Sequence, residues 1–136
     1  TNEYKNNMAT LTPTLTITST DATTNQISFS VTDAISVTDP FRGMSHESVT
    51  TTGGNHIITD AADSTKIIFI RHTGLDTSGS TVTTDLYVED ENDVRWAKLN
   101  AGEWLFVPAN NGTASSVQLE ASSGTIVAEY MYFSHA

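Results

Sequence analysis

Apolar and hydroxyl side chains take turns along this chain, and that period of two decides what it can fold into. Leu11, Pro13, Leu15 and Ile17 alternate with Thr12, Thr14, Thr16 and Thr18. Ile27, Phe29 and Val31 alternate with Ser28 and Ser30, and Ile35 and Val37 keep the same phase. Successive side chains of a strand point to opposite faces, so each run sets one face on a core and the other in water. No window of ten residues carries helical spacing. Turn signals recur roughly every 8–12 residues, the rhythm of an antiparallel sandwich or barrel. The expectation is an all-β chain: an antiparallel β-sandwich, jelly-roll-like, with seven to nine short strands.

Composition narrows the classes. The chain has 23 Thr and 14 Ser among 136 residues, and the branched Cβ of Thr suits a half-exposed pleated surface. Leu, Ile, Val and Phe number 30, which makes a modest core that a partner subunit can supplement. Length favours one domain, expected over 10–136. The polar opening TNEYKNNMA (1–9) shows no periodicity and reads as a flexible arm. The absence of Cys excludes a disulfide scaffold, a zinc ribbon and a thiol nucleophile. A net charge of -10, from sixteen acidic against six basic residues, argues against a nucleic-acid binder, which needs clustered cations. No apolar run approaches the roughly 20 residues of a helical membrane span, so no membrane partner is expected. The first residues show no basic stretch leading into an apolar one, so no secretion signal is expected either.

Pro13 cannot donate to a ladder and puts the first strand on an edge. Residues 39–56 read mostly as a loop, opened by Asp39-Pro40, with a short strand possible at 47–52. The clearest hairpin is 81–98, turning at Asp90–Asp93, with Val94 and Trp96 facing inward. Two strands are apolar on both faces. In 65–71 (TKIIFIR) four apolar residues run together; in 125–133, Ile126, Ala128, Tyr130 and Tyr132 share one face and Val127, Glu129, Met131 and Phe133 the other. Each needs cover on both sides, either from the loop 39–56 or from another subunit. If a subunit supplies it, Ile67, Phe69, Val127, Met131 and Phe133 form the oligomer interface, with a closed homotrimer as the expected assembly.

Constellations for chemistry are sparse. His46, His56, His72 and His135 share no metal-ligand spacing and read as scattered surface residues. Gly43-Met44-Ser45-His46-Glu47 opens like a nucleophile elbow but lacks the closing Gly. Glu89, Asp90, Glu91 and Asp93 offer oxygen ligands for Ca²⁺ without an EF-hand pattern, and read as a solvated hairpin tip. Trp104 and Phe41, beside turns, are the candidate exposed aromatic platforms for a sugar. Asn111-Gly112-Thr113 reads as a turn. No catalytic, cofactor or metal residue is assigned, and no enzymatic activity is expected.

The segment LNAGEWLFVPANNGTASSVQLEASSGTIVAEYMYF (99–133) resembles small structural proteins of tailed bacteriophages, of the capsid decoration (cement) type. The matching residues are Gly102, Glu103, Gly124, Thr125, Glu129 and Tyr130, and the likeness runs over 65–133. The resemblance implies a virion protein on the capsid surface, assembled in the host cytoplasm, seated as a trimer on the major capsid protein. It brings no catalytic residue. Shell contacts are then expected from the arm, the first strand and the loop 39–56, at Tyr4, Leu11, Leu15, Phe41 and Arg42. The alternative is a carbohydrate- or receptor-binding β-sandwich module from a tail or fibre.

Overall fold

Every regular element among the described residues is extended. The computed structural model describes residues 8–53, 56, 58, 65–110 and 116–136. Ten strands follow in order: β1 (Ala9–Leu11), β2 (Thr14–Ser19), β3 (Ile27–Thr32), β4 (Ile35–Val49), β5 (Thr65–His72), β6 (Leu86–Glu89), β7 (Arg95–Leu99), β8 (Trp104–Asn110), β9 (Gln118–Ala121) and β10 (Ile126–His135). The protein is all-β and the registered strand pairs are antiparallel. The chain divides into two compact units. The arm read over 1–9 lies outside the described residues as far as residue 7, and Ala9 already opens β1.

One unit holds the chain up to Asp39, with His135 and Ala136. Pro13 interrupts the first alternating run and splits it into β1 and β2. β1 pairs with the start of β4, Leu11 opposite Ile35 and Ala9 opposite Val37. β2 and β3 form a hairpin of their own, closed by the Asp33 amide on the Pro13 carbonyl at 3.1 Å. Leu15 faces Val31 and Ile17 faces Phe29. On the other face Thr14 bonds Thr32 at 2.8 Å and Thr16 bonds Ser30 at 3.2 Å, hydroxyl to hydroxyl.

The other unit, Pro40–Ser134, is sandwich-like. One sheet runs β4-β10-β5-β8, the other β7-β6-β9. Between them lie the buried Ile68, Ile70, Ile126, Ala128 and Tyr130 of the first sheet and Leu86, Val88, Leu99, Leu119 and Ala121 of the second. The alternation read from the sequence over 125–133 holds: Ile126 and Ala128 are fully buried, while Val127 and Met131 are half-buried.

Three local readings need correction. The stretch 39–56 is strand as far as Val49, because a residue before proline is confined to extended backbone and Asp39-Pro40 therefore continues β4 instead of turning it. Val94 and Trp96 point out, 57% and 45% exposed, while Ala97 packs on the core. Regular alternation back from the buried Leu99 and the core-packed Ala97 puts Trp96 on the outer face, and the register shift between Val88 and Glu89 then skips Trp96 and sets Arg95 opposite Glu89. His72 is fully buried, not a surface residue. Its Nε2 bonds the Thr84 carbonyl at 2.7 Å and its Nδ1 accepts the Gly74 amide at 2.9 Å, so both ring nitrogens are engaged by backbone.

The turns explain the residues that carried the family likeness. Gly102 and Gly124 hold φ of 84° and 63°, the left-handed region open to glycine. The Glu103 carboxylate accepts the Asn100 amide at 2.7 Å and clasps the turn before β8. At the 90–94 turn the Asp90 carboxylate takes the amides of Asn92 and Val94.

Candidate interaction surface

Burying apolar area is the main gain of folding, so an apolar face left in water is where a protein's contacts are found. The β2–β3 hairpin has such a face. Leu15, Ile17, Phe29 and Val31 are 38%, 46%, 49% and 49% exposed. They sit as two cross-strand pairs on one side of the ribbon, and a two-stranded ribbon is marginal by itself. Sequence reasoning named Leu15 as a contact but read its three neighbours simply as inward strand residues. Alternation identifies the apolar side of a strand; it does not say whether anything covers it.

A second apolar face lies on the β4-β10-β5-β8 sheet, opposite its core side. Strand register sets it out in rows: Pro108, Ile67 and Phe133; Phe106, Phe69 and Met131; Trp104, Arg71 and Glu129. Trp104 is half exposed, its ring tilted at 32° to that of Phe69 with centroids 6.4 Å apart. Phe69, Val127, Met131 and Phe133 are half-buried, and Ile67 is fully buried within the single chain. The face ends in an ionic group: Arg71 Nη1 lies 2.9 Å from Glu129 Oε2, and His46 Nε2 lies 3.4 Å from Glu129 Oε1. The Arg71 bond holds the Glu129 carboxyl below its ordinary pKa. Beside this group opens a cleft of about 440 Å³, lined by Thr73, Leu75, Asp76 and Val127 among others.

The remaining expected contacts scatter. Leu11 is half-buried in β1. Arg42 is exposed in β4 with its guanidinium 5.9 Å from the Tyr130 ring centre. Tyr4, the Phe41 side chain and the Asn111-Gly112-Thr113 turn lie outside the described residues.

A polar group whose burial the sequence did not foretell sits on the outer side of the β7-β6-β9 sheet. Glu89 is 1% exposed and faces Gln118 across β6 and β9. Its Oε2 is 4.0 Å from Arg95 Nε, and the same guanidinium reaches Glu120 Oε2 at 3.9 Å. Glu89 Oε1 and Gln118 Oε1 are buried and find no hydrogen-bond partner among the described residues. Burial, then the hydrogen bond and charge of Glu120, push the Glu89 carboxyl from 4.5 up to about 7. Within the run expected to form a solvated tip, Glu89 is therefore a buried strand residue, whereas Glu91 and Asp93 are exposed. Among the described residues, no three His, Asp or Glu side chains gather as a metal ion needs.

Comparison with family models, with curated proteins and with solved structures finds no match. What the chain does must be argued from these surfaces.

Proposed function

We propose that this chain is a non-enzymatic structural protein that works by docking, and specifically a decoration protein on the head shell of a tailed bacteriophage. The observation that carries the reading is the β2–β3 hairpin, which holds two apolar pairs in water on a ribbon too small to stand alone. A subunit that adds contacts across a shell stabilises it by mass action, and an oligomer multiplies the effect through effective concentration. The acidic charge fits an outer surface better than one that meets DNA. The likeness over 65–133 to virion proteins points the same way, although its shared residues Gly102, Glu103 and Gly124 act here in turns.

The test is immunogold electron microscopy. Antibodies raised against the purified chain are applied to intact phage particles from the source of the sequence. Label on the heads is the expected result; label confined to tails would move the protein there, and unlabelled particles would refute a virion role. The exposed Trp104 ring favours one second reading, a sugar-binding module. A glycan array answers that, and Trp104→Ala would abolish any genuine signal.

A further inference from the structure

We propose that the cleft on the β4-β10-β5-β8 sheet binds an uncharged sugar, with Trp104 as the stacking ring and His46, Glu129 and Arg71 as the polar contacts. The proposal rests on the second reading above, that Trp104 serves a sugar, and gives that reading a site and a ligand class. Its residues all lie in the Pro40–Ser134 unit, away from the hairpin strands that carry the shell docking.

Each strand of the sheet supplies one member of a single row. His46 comes from β4, Glu129 from β10, Arg71 from β5 and Trp104 from β8. Register sets Glu129 opposite Arg71 and Arg71 opposite Trp104. The Glu129 carboxylate ties three of the four together, one oxygen 2.9 Å from Arg71 and the other 3.4 Å from His46. Cross-strand partners stand about 5 Å apart at Cβ, so the half-exposed Trp104 is the neighbour of the Arg71 guanidinium.

The wall of the cleft is held in shape before any ligand arrives. Asp76 Oδ1 accepts the amides of Ser78 and Ser80, each at 2.9 Å. The Val127 amide donates to the Leu75 carbonyl at 2.8 Å, and the Thr73 hydroxyl donates to the Val127 carbonyl at 2.6 Å. Such preorganisation lowers the entropy cost of binding. The volume of about 440 Å³ lies within the roughly 300–1,000 Å³ of small-molecule sites.

Chemistry selects the ligand. One side of a pyranose ring is a patch of C–H groups, which suits the flat face of an indole. Its rim carries hydroxyls, each both donor and acceptor. A guanidinium offers donors alone and a carboxylate acceptors alone; the row sets the two side by side, so adjacent hydroxyls of one sugar meet both. Charge sets the limit. Arg71 offsets Glu129, Asp76 adds a negative group to the wall, and the whole chain stands at -10. Phosphates and acidic sugars are therefore repelled, while a cation finds Arg71 already on the Glu129 carboxylate.

A glycan array carrying neutral and acidic oligosaccharides tests this on the purified chain. The expected result is signal on neutral glycans and none on sialylated, uronic or sulfated ones. The neutral glycan with the strongest signal is then titrated into Trp96→Phe, in which Trp104 is the sole tryptophan. Its fluorescence should change on binding, and Arg71→Met should weaken the affinity about tenfold. A readout free of substitutions comes from amide NMR of the wild-type chain, where the same glycan should shift the signals of residues 73–79. Signal confined to acidic glycans would overturn the proposal. A neutral glycan whose binding depends on Trp104 but neither shifts 73–79 nor weakens in Arg71→Met would leave the sugar reading standing and this cleft refuted. An array without signal would refute both and leave the shell docking to the antibody label.

Discussion

Replacing Glu89 by Gln tests the buried carboxyl. The side chain lies in the β7-β6-β9 sheet with 1% exposure, one oxygen unpartnered and the other 4.0 Å from Arg95. A carboxyl there holds its proton more tightly folded than unfolded, since its folded pKa is about 7 against 4.5. The group's contribution is therefore complete below pH 4.5, fades as pH rises towards 7, and stays low above that. A gap of about 2.5 pH units, at about 1.4 kcal/mol each, makes the loss about 3 kcal/mol. Glutamine keeps the shape and donates an N–H to Glu120 without ionising.

The assay is urea unfolding followed by tryptophan fluorescence between pH 4.5 and 8.5. Trp96 and Trp104 both lie in the Pro40–Ser134 unit, so the signal reports the unit that holds Glu89. The useful quantity is the stability of Glu89→Gln minus that of wild type, because other titrations cancel. It should rise by about 3 kcal/mol across that range. Burial is the first cause of the shift and the Glu120 hydrogen bond the second, so Glu120→Gln should retain most of the wild-type pH slope. Parallel curves for wild type and Glu89→Gln would refute the reasoning, since they would show that Glu89 ionises folded as it does unfolded.

Glu129 should behave with the opposite sign. Arg71, and after it His46, lower its pKa, so its contribution is present above the ordinary carboxylate range and lost as pH falls through the depressed folded value; acid titration of Arg71→Gln should show a smaller loss. His72→Leu leaves the Thr84 carbonyl and the Gly74 amide unpaired, and urea midpoints should show a loss of about 2–4 kcal/mol. Gly102→Ala forces a side chain into the left-handed region with open space around it, so calorimetry should record only the backbone cost of about 1 kcal/mol.

Strand placement was legible wherever one face of a strand is buried and the other wet, as in β10, because alternation records that difference directly. It failed at β4, where Pro40 resembles a turn residue and acts as an extended one. It failed again at β7, because Val94 and Trp96 look like the apolar side of the strand while the core is met by Ala97 and Leu99, one step out of phase with them. The burial of Glu89 was hidden for a third reason. The residues that follow it, Asp90 to Asp93, are turn and acid, and the strand it pairs with, at Gln118, lies some thirty residues away along the chain.

The hairpin shows how far such reading reaches. Leu15, Ile17, Phe29 and Val31 have the same period and residue types as the core strands, and the sequence cannot separate a covered face from a bare one. What separates them is the partner strand on the far side: Ile126 and Ala128 look across at Leu86, Val88 and Leu119, while among the described residues the hairpin strands pair with each other alone. One feature did mark it in advance. Twenty-five residues, 8–32, pass with a single charge in a chain at -10. Neutral, hydroxyl-rich strands are soluble enough to stay exposed and cost little to desolvate. A docking face that must stay in water until its partner arrives needs both properties, and a larger or charged face would give up one of them.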